Sequence, residues 1–246
     1  MADLKNKTAI ITGSSRGLGR KAAIELAKHG AGVVVNYHSN ETEARATVDE
    51  ILSNGGTAIA VKADVSNSEA VNHLFEQTLE MFGKIDLVVN NAGIMVTKFL
   101  KDFTEEEFDK QFSFNVKSVF LMMKKASEKL NQNGRIINIS SSTSRLMLPT
   151  YAIYSATKSA VEQMTRVFAK EISSKGITVN SVLPGPINTE LFRNGKSEDL
   201  INRIAGLSAF NRIGNVEDII PIILFLSSDE SQWITGQSIG INGGMA

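Results

Sequence analysis

The chain has 246 residues, 42% of them hydrophobic, and Lys+Arg and Asp+Glu stand at 26 each. That length buries one substantial core, so a single domain over residues 1–246 is expected, and a net charge of zero argues against nucleic acid or an anionic membrane and for a small-molecule partner. With no cysteine, no HExxH and no close cluster of His with carboxylates, no metal site is expected; residues 1–7 carry no apolar signal core and no run of about 18 apolar residues occurs, so a cytoplasmic chain is expected.

In chain order, short apolar runs rich in β-branched residues occur at 9–11, 33–35, 58–61, 87–89, 136–139, 177–182 and 239–241, with amphipathic stretches between them. Strands alternating with helices imply an α/β fold: a three-layer, Rossmann-like, doubly wound parallel sheet of about seven strands. Ser66-x-x-Glu69 and Thr104-x-x-Glu107 have the capping-box pattern ahead of periodic apolar residues. The irregular stretch 188–211, between two expected strands, is read as a substrate lid.

The first strand runs into Thr12-Gly13-Ser14-Ser15-Arg16-Gly17-Leu18-Gly19, followed by Ala22 and Leu26 at helical spacing. Glycines at 13, 17 and 19 let the backbone approach a pyrophosphate, and the helix N-terminus offers free N–H groups, with Ser15 and Leu18 alongside. The spacing is GxxxGxG rather than GxGxxG. At the end of the second strand, where a carboxylate would favour a free ribose 2′-hydroxyl, the chain reads Asn36-Tyr37-His38. No acid is present, and Arg16 is read as the partner of a 2′-phosphate, which predicts NADP rather than NAD; the plainer reading of Arg16 is a solvated loop charge. Asp64 and Val65 close the third strand, where Asp64 is read as an acceptor for the adenine amino group or as a helix-flanking aspartate. Asn91, Ala92 and Gly93 close the fourth, where small residues let the sheet edge lie against a nucleotide.

Tyr154 and Lys158 stand four apart in an expected helix and share a face. A phenol working as acid and base near neutrality needs its pKa lowered by about 3 units, ~4 kcal/mol. One ammonium at ~5 Å supplies roughly 3 kcal/mol at an effective dielectric near 20. Lys158 is therefore expected to acidify Tyr154, with a nicotinamide cation supplying the rest; the plainer reading is an amphipathic helix with a surface Tyr and Lys.

Taken together, Thr12-Gly13-x-x-x-Gly17-x-Gly19, Asn90-Asn91-Ala92-Gly93, Asn115, Ser141, the Tyr154/Lys158 pair and Pro184-Gly185 resemble the short-chain dehydrogenase/reductase family over essentially the whole chain. The resemblance implies hydride transfer between a nicotinamide and a ketone or secondary alcohol. It implies that Tyr154 gives the proton, Ser141 holds the carbonyl oxygen, Lys158 bonds the nicotinamide ribose, Asn115 positions a water, and Pro184, Gly185, Ile187 and Thr189 contact the nicotinamide. It also implies a homotetramer or dimer, with the Tyr154 helix and its stripe Val161, Met164, Phe168 and Ile172 covering the sheet or a second subunit.

Within the family the chain looks most similar to β-ketoacyl-acyl-carrier-protein reductases and related ketone reductases. It departs from them at 144–151, where Ser144-Arg145-Leu146-Met147-Leu148-Pro149-Thr150-Tyr151 replaces a small, glycine-rich stretch, and at Asn131-Gln132-Asn133, where a basic residue is usual. Both departures weigh against an acyl-carrier-protein partner, although Lys175 remains as a docking charge. Leu146, Met147, Met95, Leu191 and Phe192 are read as an apolar pocket or as core. Two rivals are a hydrolase built on Gly13-Ser14-Ser15-Arg16-Gly17 and a cofactor-binding protein without turnover. The histidines, His29, His38 and His73, all lie too early for the first; the intact Ser141, Tyr154 and Lys158 set weighs against the second.

Overall fold

Alternating strand and helix residues lead the chain through repeated crossovers, each placing the next strand parallel to the sheet. The structure is a computed structural model that describes residues 3–246; Met1 and Ala2 of the expected domain and N-terminal segment lie outside the described residues. The elements are β1 (Thr8–Ile11), α1 (Gly17–Lys28), β2 (Gly32–Tyr37), α2 (Glu41–Ser53), β3 (Thr57–Lys62), α3 (Ser68–Phe82), β4 (Leu87–Asn90), α4 (Glu105–Phe112), α5 (Ser118–Lys129), β5 (Arg135–Ile139), α6 (Ala152–Glu171), β6 (Thr178–Pro184), α7 (Glu190–Arg193), α8 (Glu198–Ala205), α9 (Val216–Ser227) and β7 (Ser238–Ile241).

The sheet has seven strands in the order β3-β2-β1-β4-β5-β6-β7, and every pairing is parallel. Side chains alternate between its faces with the strand period. Ile10, Val34, Val88, Ile136 and Val179 pack with Leu74 and Phe75 of α3, Met122 of α5 and Val161 of α6. Ala9, Ile11, Val33, Val35, Val89 and Ile137 face the other way, against Ala23 and Leu26 of α1 and Ile219 and Ile223 of α9. The α6 stripe therefore covers the sheet, with Val161 and Ile172 buried and Met164 and Phe168 packed beside them. The strand order reverses between β1 and β4, and the loops leaving these two strands diverge there to open a crevice at the carboxyl edge.

The Thr104 capping box forms as expected, closing α4 at its start. The Ser66 box does not. Asn67 is the cap of α3, its side chain accepting from the Ala70 N–H, because the Ser66 hydroxyl is taken by the Asp64 carboxylate at 2.7 Å. Strand β6 runs two residues beyond its expected end, to Pro184, paired with β7. The stretch 188–211 contains two helices, α7 and α8, capped by Thr189 and Ser197. Among the described residues no helix is long and apolar enough to cross a membrane.

Candidate active site

The cleft begins at the turn after β1. Gly13 and Gly17 have φ of +61° and +57°, a backbone region that favours glycine. A Cβ at Gly13 would lie 3.0 Å from the Ala92 Cα, and one at Gly19 would lie 2.5 Å from the Asn91 Nδ2 and 2.6 Å from the Gly13 carbonyl. Those two glycines let the loop close onto the end of β4. Gly17 is different: the only neighbour of a Cβ there would be the Thr189 methyl at 3.8 Å, so its surface faces open space. Helix α1 starts at Gly17 with no side-chain cap, leaving its first N–H groups to the cleft.

Asn91 fastens the two loops together. Its backbone N–H donates to the Thr12 hydroxyl at 2.9 Å, and its side chain donates to the Thr12 and Gly13 carbonyls at 3.0 and 3.1 Å. Ser15, Arg16, Leu18, Tyr37, His38, Ala92 and Gly93 line the same cleft, whose volume is about 1000 Å³. Arg16 is exposed and pairs with Glu190 of α7 at 2.9 Å, across the cleft from the glycine turn.

Four residues expected at the nucleotide, Asn36, Gly19, Asp64 and Val65, are not among those lining the cleft. The Asn36 side chain is buried, accepting from the Gly13 N–H at 3.2 Å and donating to the Ala63 carbonyl at 3.1 Å. Asn36 thus braces the glycine turn. Gly19 is closed off by Asn91, as described above. Asp64 accepts from the Ser66 N–H and hydroxyl at 2.9 and 2.7 Å; burial pushes its carboxyl up, but those hydrogen bonds and the His38 side chain bring it below its ordinary value. Val65 is buried in the core under β3.

At the other end of the cleft stand Ser141, Tyr154 and Lys158, all nearly buried. Ser141 caps the short turn Ser142–Arg145, accepting from the Thr143 N–H at 3.2 Å. Lys158 donates one N–H to the Ile139 carbonyl at 2.8 Å, and its Nζ is 5.7 Å from the centre of the Tyr154 ring. Its other two N–H groups have no partner among the described residues, so they are free for hydroxyls placed in the cleft. Burial lowers the Lys158 ammonium to about 8. Burial likewise pushes the Tyr154 phenol up to about 12, against a hydrogen bond with Ser141. Burial thus works against the acidification expected from the Lys158 spacing.

Asn115 sits in a π-helical turn, Ser113–Lys117, with only 1% of its surface exposed. Its side chain accepts from the Ile94 N–H at 2.8 Å and donates to the Ile94 carbonyl at 2.9 Å and the Thr157 hydroxyl at 3.1 Å. It ties the segment after β4 to α6 one residue before Lys158. Pro184, Gly185, Ile187 and Thr189 line the cleft's upper rim, as do Met95, Leu146, Leu191 and Phe192. Met147 does not: it is fully exposed. Lining residues missed by sequence reasoning include Tyr151, Leu148, Leu207 and Met245. Tyr151 was visible as an aromatic one turn before Tyr154, whereas Leu207 and Met245 arrive from distant chain segments without a local signal. No three metal-ligating side chains cluster among the described residues, and Ser15 has no histidine partner among them.

A parallel sheet that reverses at a glycine-rich crevice, with a buried Ser, Tyr and Lys beside it, defines a nucleotide-dependent oxidoreductase. Residues 13–246 match a family model described as Enoyl-(Acyl carrier protein) reductase. The chain is 41% identical to the NADPH-dependent aldehyde reductase-like protein, chloroplastic, of Arabidopsis thaliana, covering 98% of this chain and 94% of that one. It is 40% identical to versicolorin reductase stcU of Emericella nidulans, covering 98% and 96%. Among solved structures, angucycline C-6 ketoreductase LanV with bound NADP superposes with a TM-score of 0.93 at 34% identity, covering 99% and 97%. The chain belongs to the short-chain dehydrogenase/reductase family of oxidoreductases.

Proposed function

We propose that this chain is an NADPH-dependent ketone reductase. The observation that carries the reading is the buried Tyr154 and Lys158 pair, placed with Ser141 in one cleft with an uncapped helix N-terminus and an open Gly17. The residues suit a dinucleotide: free N–H groups of α1 and Gly17 for the pyrophosphate, Arg16 for a 2′-phosphate, and the two spare Lys158 N–H groups for ribose hydroxyls. The nicotinamide, when bound, supplies the hydride.

The chain's own residues do the rest. Ser141 and Tyr154 hydrogen-bond the substrate oxygen, stabilising charge as it develops there. Tyr154 Oη holds a proton throughout the physiological pH range, since burial keeps its pKa near 12, and gives it to the forming alkoxide. Lys158 orients the ribose side of the cleft, and Asn115 fixes the β4 loop and α6 in register. Pro184, Gly185, Ile187 and Thr189 form the nicotinamide rim, and 188–211 is the substrate lid closing over it.

Exposed Phe108 and Phe120 on α4 and α5, and Trp233 near the C-terminus, support a homotetramer built on two apolar faces. An acyl-carrier-protein partner is disfavoured by the departures at 144–151 and 131–133, although Lys175 stays exposed as a docking charge. The test is oxidation of NADPH and of NADH, side by side, with simple ketones, β-ketoacyl esters and an acyl-carrier-protein thioester. Calorimetry that detected neither nucleotide binding would overturn the reading.

A further inference from the structure

The cleft holds a second phenol that the reductase reading leaves without a task. Tyr151 lies at the start of α6, half-buried in the cleft wall, with its ring edge-on to Tyr154: centroids 6.3 Å apart and planes at 73°. Its hydroxyl has no hydrogen-bond partner among the described residues, and burial alone pushes the phenol up. Leu146, Leu148, Met95, Leu207 and Phe192 give that end of the cleft apolar walls. A phenol oxygen set among them meets no protein group that it could bond.

The backbone that aims this ring is strained. Thr150 has φ +74°, a conformation that β-branched residues rarely adopt and that costs roughly 1–2 kcal/mol. Such a residue persists where its surroundings hold it. Here the Thr150 carbonyl accepts from the Lys98 N–H at 3.0 Å and the Tyr151 N–H donates to the Leu148 carbonyl at 3.3 Å. Relaxing Thr150 to the ordinary region would swing the chain entering α6 and carry Tyr151 out of its position.

We propose that Tyr151 is a specificity-determining residue whose hydroxyl bonds a second oxygen of the substrate, so that the cleft selects largely apolar ketones bearing a hydroxyl or oxo group close to the reacting carbonyl. The two phenols then divide the substrate between them: Tyr154 takes the reacting oxygen and Tyr151 its neighbour. The inference rests on the ketone-reductase reading, and its test separates the two.

The full chain and Tyr151→Phe are assayed with NADPH against 1-tetralone and 8-hydroxy-1-tetralone. The kcat/KM lost on the hydroxylated ketone should exceed the loss on 1-tetralone by about fivefold to tenfold, the value of one neutral hydrogen bond, and should appear in KM. Equal losses on both ketones, or losses confined to kcat, would overturn the proposal, because Tyr151 would then act only as wall or through Tyr154. In parallel, calorimetry with NADP present compares naphthalene-1,8-diol with 1-naphthol. The wild-type chain should prefer the diol and the variant should lose that preference; a wild-type chain without the preference overturns the proposal whatever its turnover. Absent turnover of both ketones beside an intact diol preference would support the role of Tyr151 and overturn the reductase reading instead.

Discussion

Lys158 should make the protein less stable than it would be without it. Burial takes its ammonium from 10.5 to about 8, a difference of about 3 kcal/mol at pH values below 8. The sign follows from proton counting. Between pH 8 and 10.5 the unfolded lysine still holds its proton and the folded one releases it, so stability rises with pH across that window. Lys158→Met removes the whole contribution and keeps the apolar stem. It also removes the ammonium's hydrogen bond to the Ile139 carbonyl at 2.8 Å, which costs about 1.5–3 kcal/mol. The net expectation at pH 7 is a variant as stable as wild type or up to about 1.5 kcal/mol more stable, and inactive as a reductase, with the advantage disappearing by pH 10.5. Urea unfolding of both proteins at pH 7, 9 and 10.5 measures it. A variant less stable at pH 7, or a difference that stays constant with pH, would refute the argument that a desolvated ammonium is held here.

Tyr154→Phe should bind NADPH within about threefold of wild type and lose at least 100-fold in kcat, as expected for a missing proton donor; stopped-flow and calorimetry check the two halves. Arg16→Ala should weaken NADPH by about tenfold or more and NADH far less, since a charge-assisted bond to the 2′-phosphate is worth about 1.5–3 kcal/mol. Because Arg16 is paired with Glu190 across the cleft, Glu190→Gln should tighten NADPH up to about fivefold, the value of an exposed ion pair, and an unchanged Kd would show that the pair does not compete. Gly19→Ala should unsettle the nucleotide loop, since its Cβ would fall 2.6 Å from the Gly13 carbonyl; a lowered Tm together with lost NADPH binding is the expected result. Thr150→Asn, which tolerates positive φ, should raise Tm by about 2–4 °C for each kcal/mol of strain it relieves.

Continuous apolar runs were enough to locate all seven strands, because a sheet buried on both faces leaves unbroken β-branched segments such as Val33-Val34-Val35. The Tyr154 and Lys158 pair was equally legible, since four residues on a helix make one turn whatever surrounds it. What escaped depended on competition between neighbours. Ser66 and Asn67 are both good caps, and only the Asp64 carboxylate, which captures the Ser66 hydroxyl, decides for Asn67. Asn36 has the right place for a nucleotide contact, but its amide is consumed by Gly13 and Ala63, groups that reach it only after β1 and β3 flank β2. Met147 and Leu148 are alike in sequence, and the strained turn at Thr150 separates them into solvent and cleft.

Burial also acts on this pair in a way that spacing alone does not show. Free in water the lysine and the phenol titrate close together, at 10.5 and 10.0; in the fold they stand at about 8 and about 12. The phenol therefore holds its proton far more firmly than the amine, and a protonated phenol beside an ammonium is the resting arrangement near pH 7. A site that needed the phenolate at rest would be poorly served by this packing. A site that must keep one proton ready for an oxygen becoming an alkoxide is well served, because the donor stays loaded at every physiological pH and the amine one turn away lowers the cost of the charge left behind. How deeply α6 sinks both side chains thus decides which of them holds its proton more firmly.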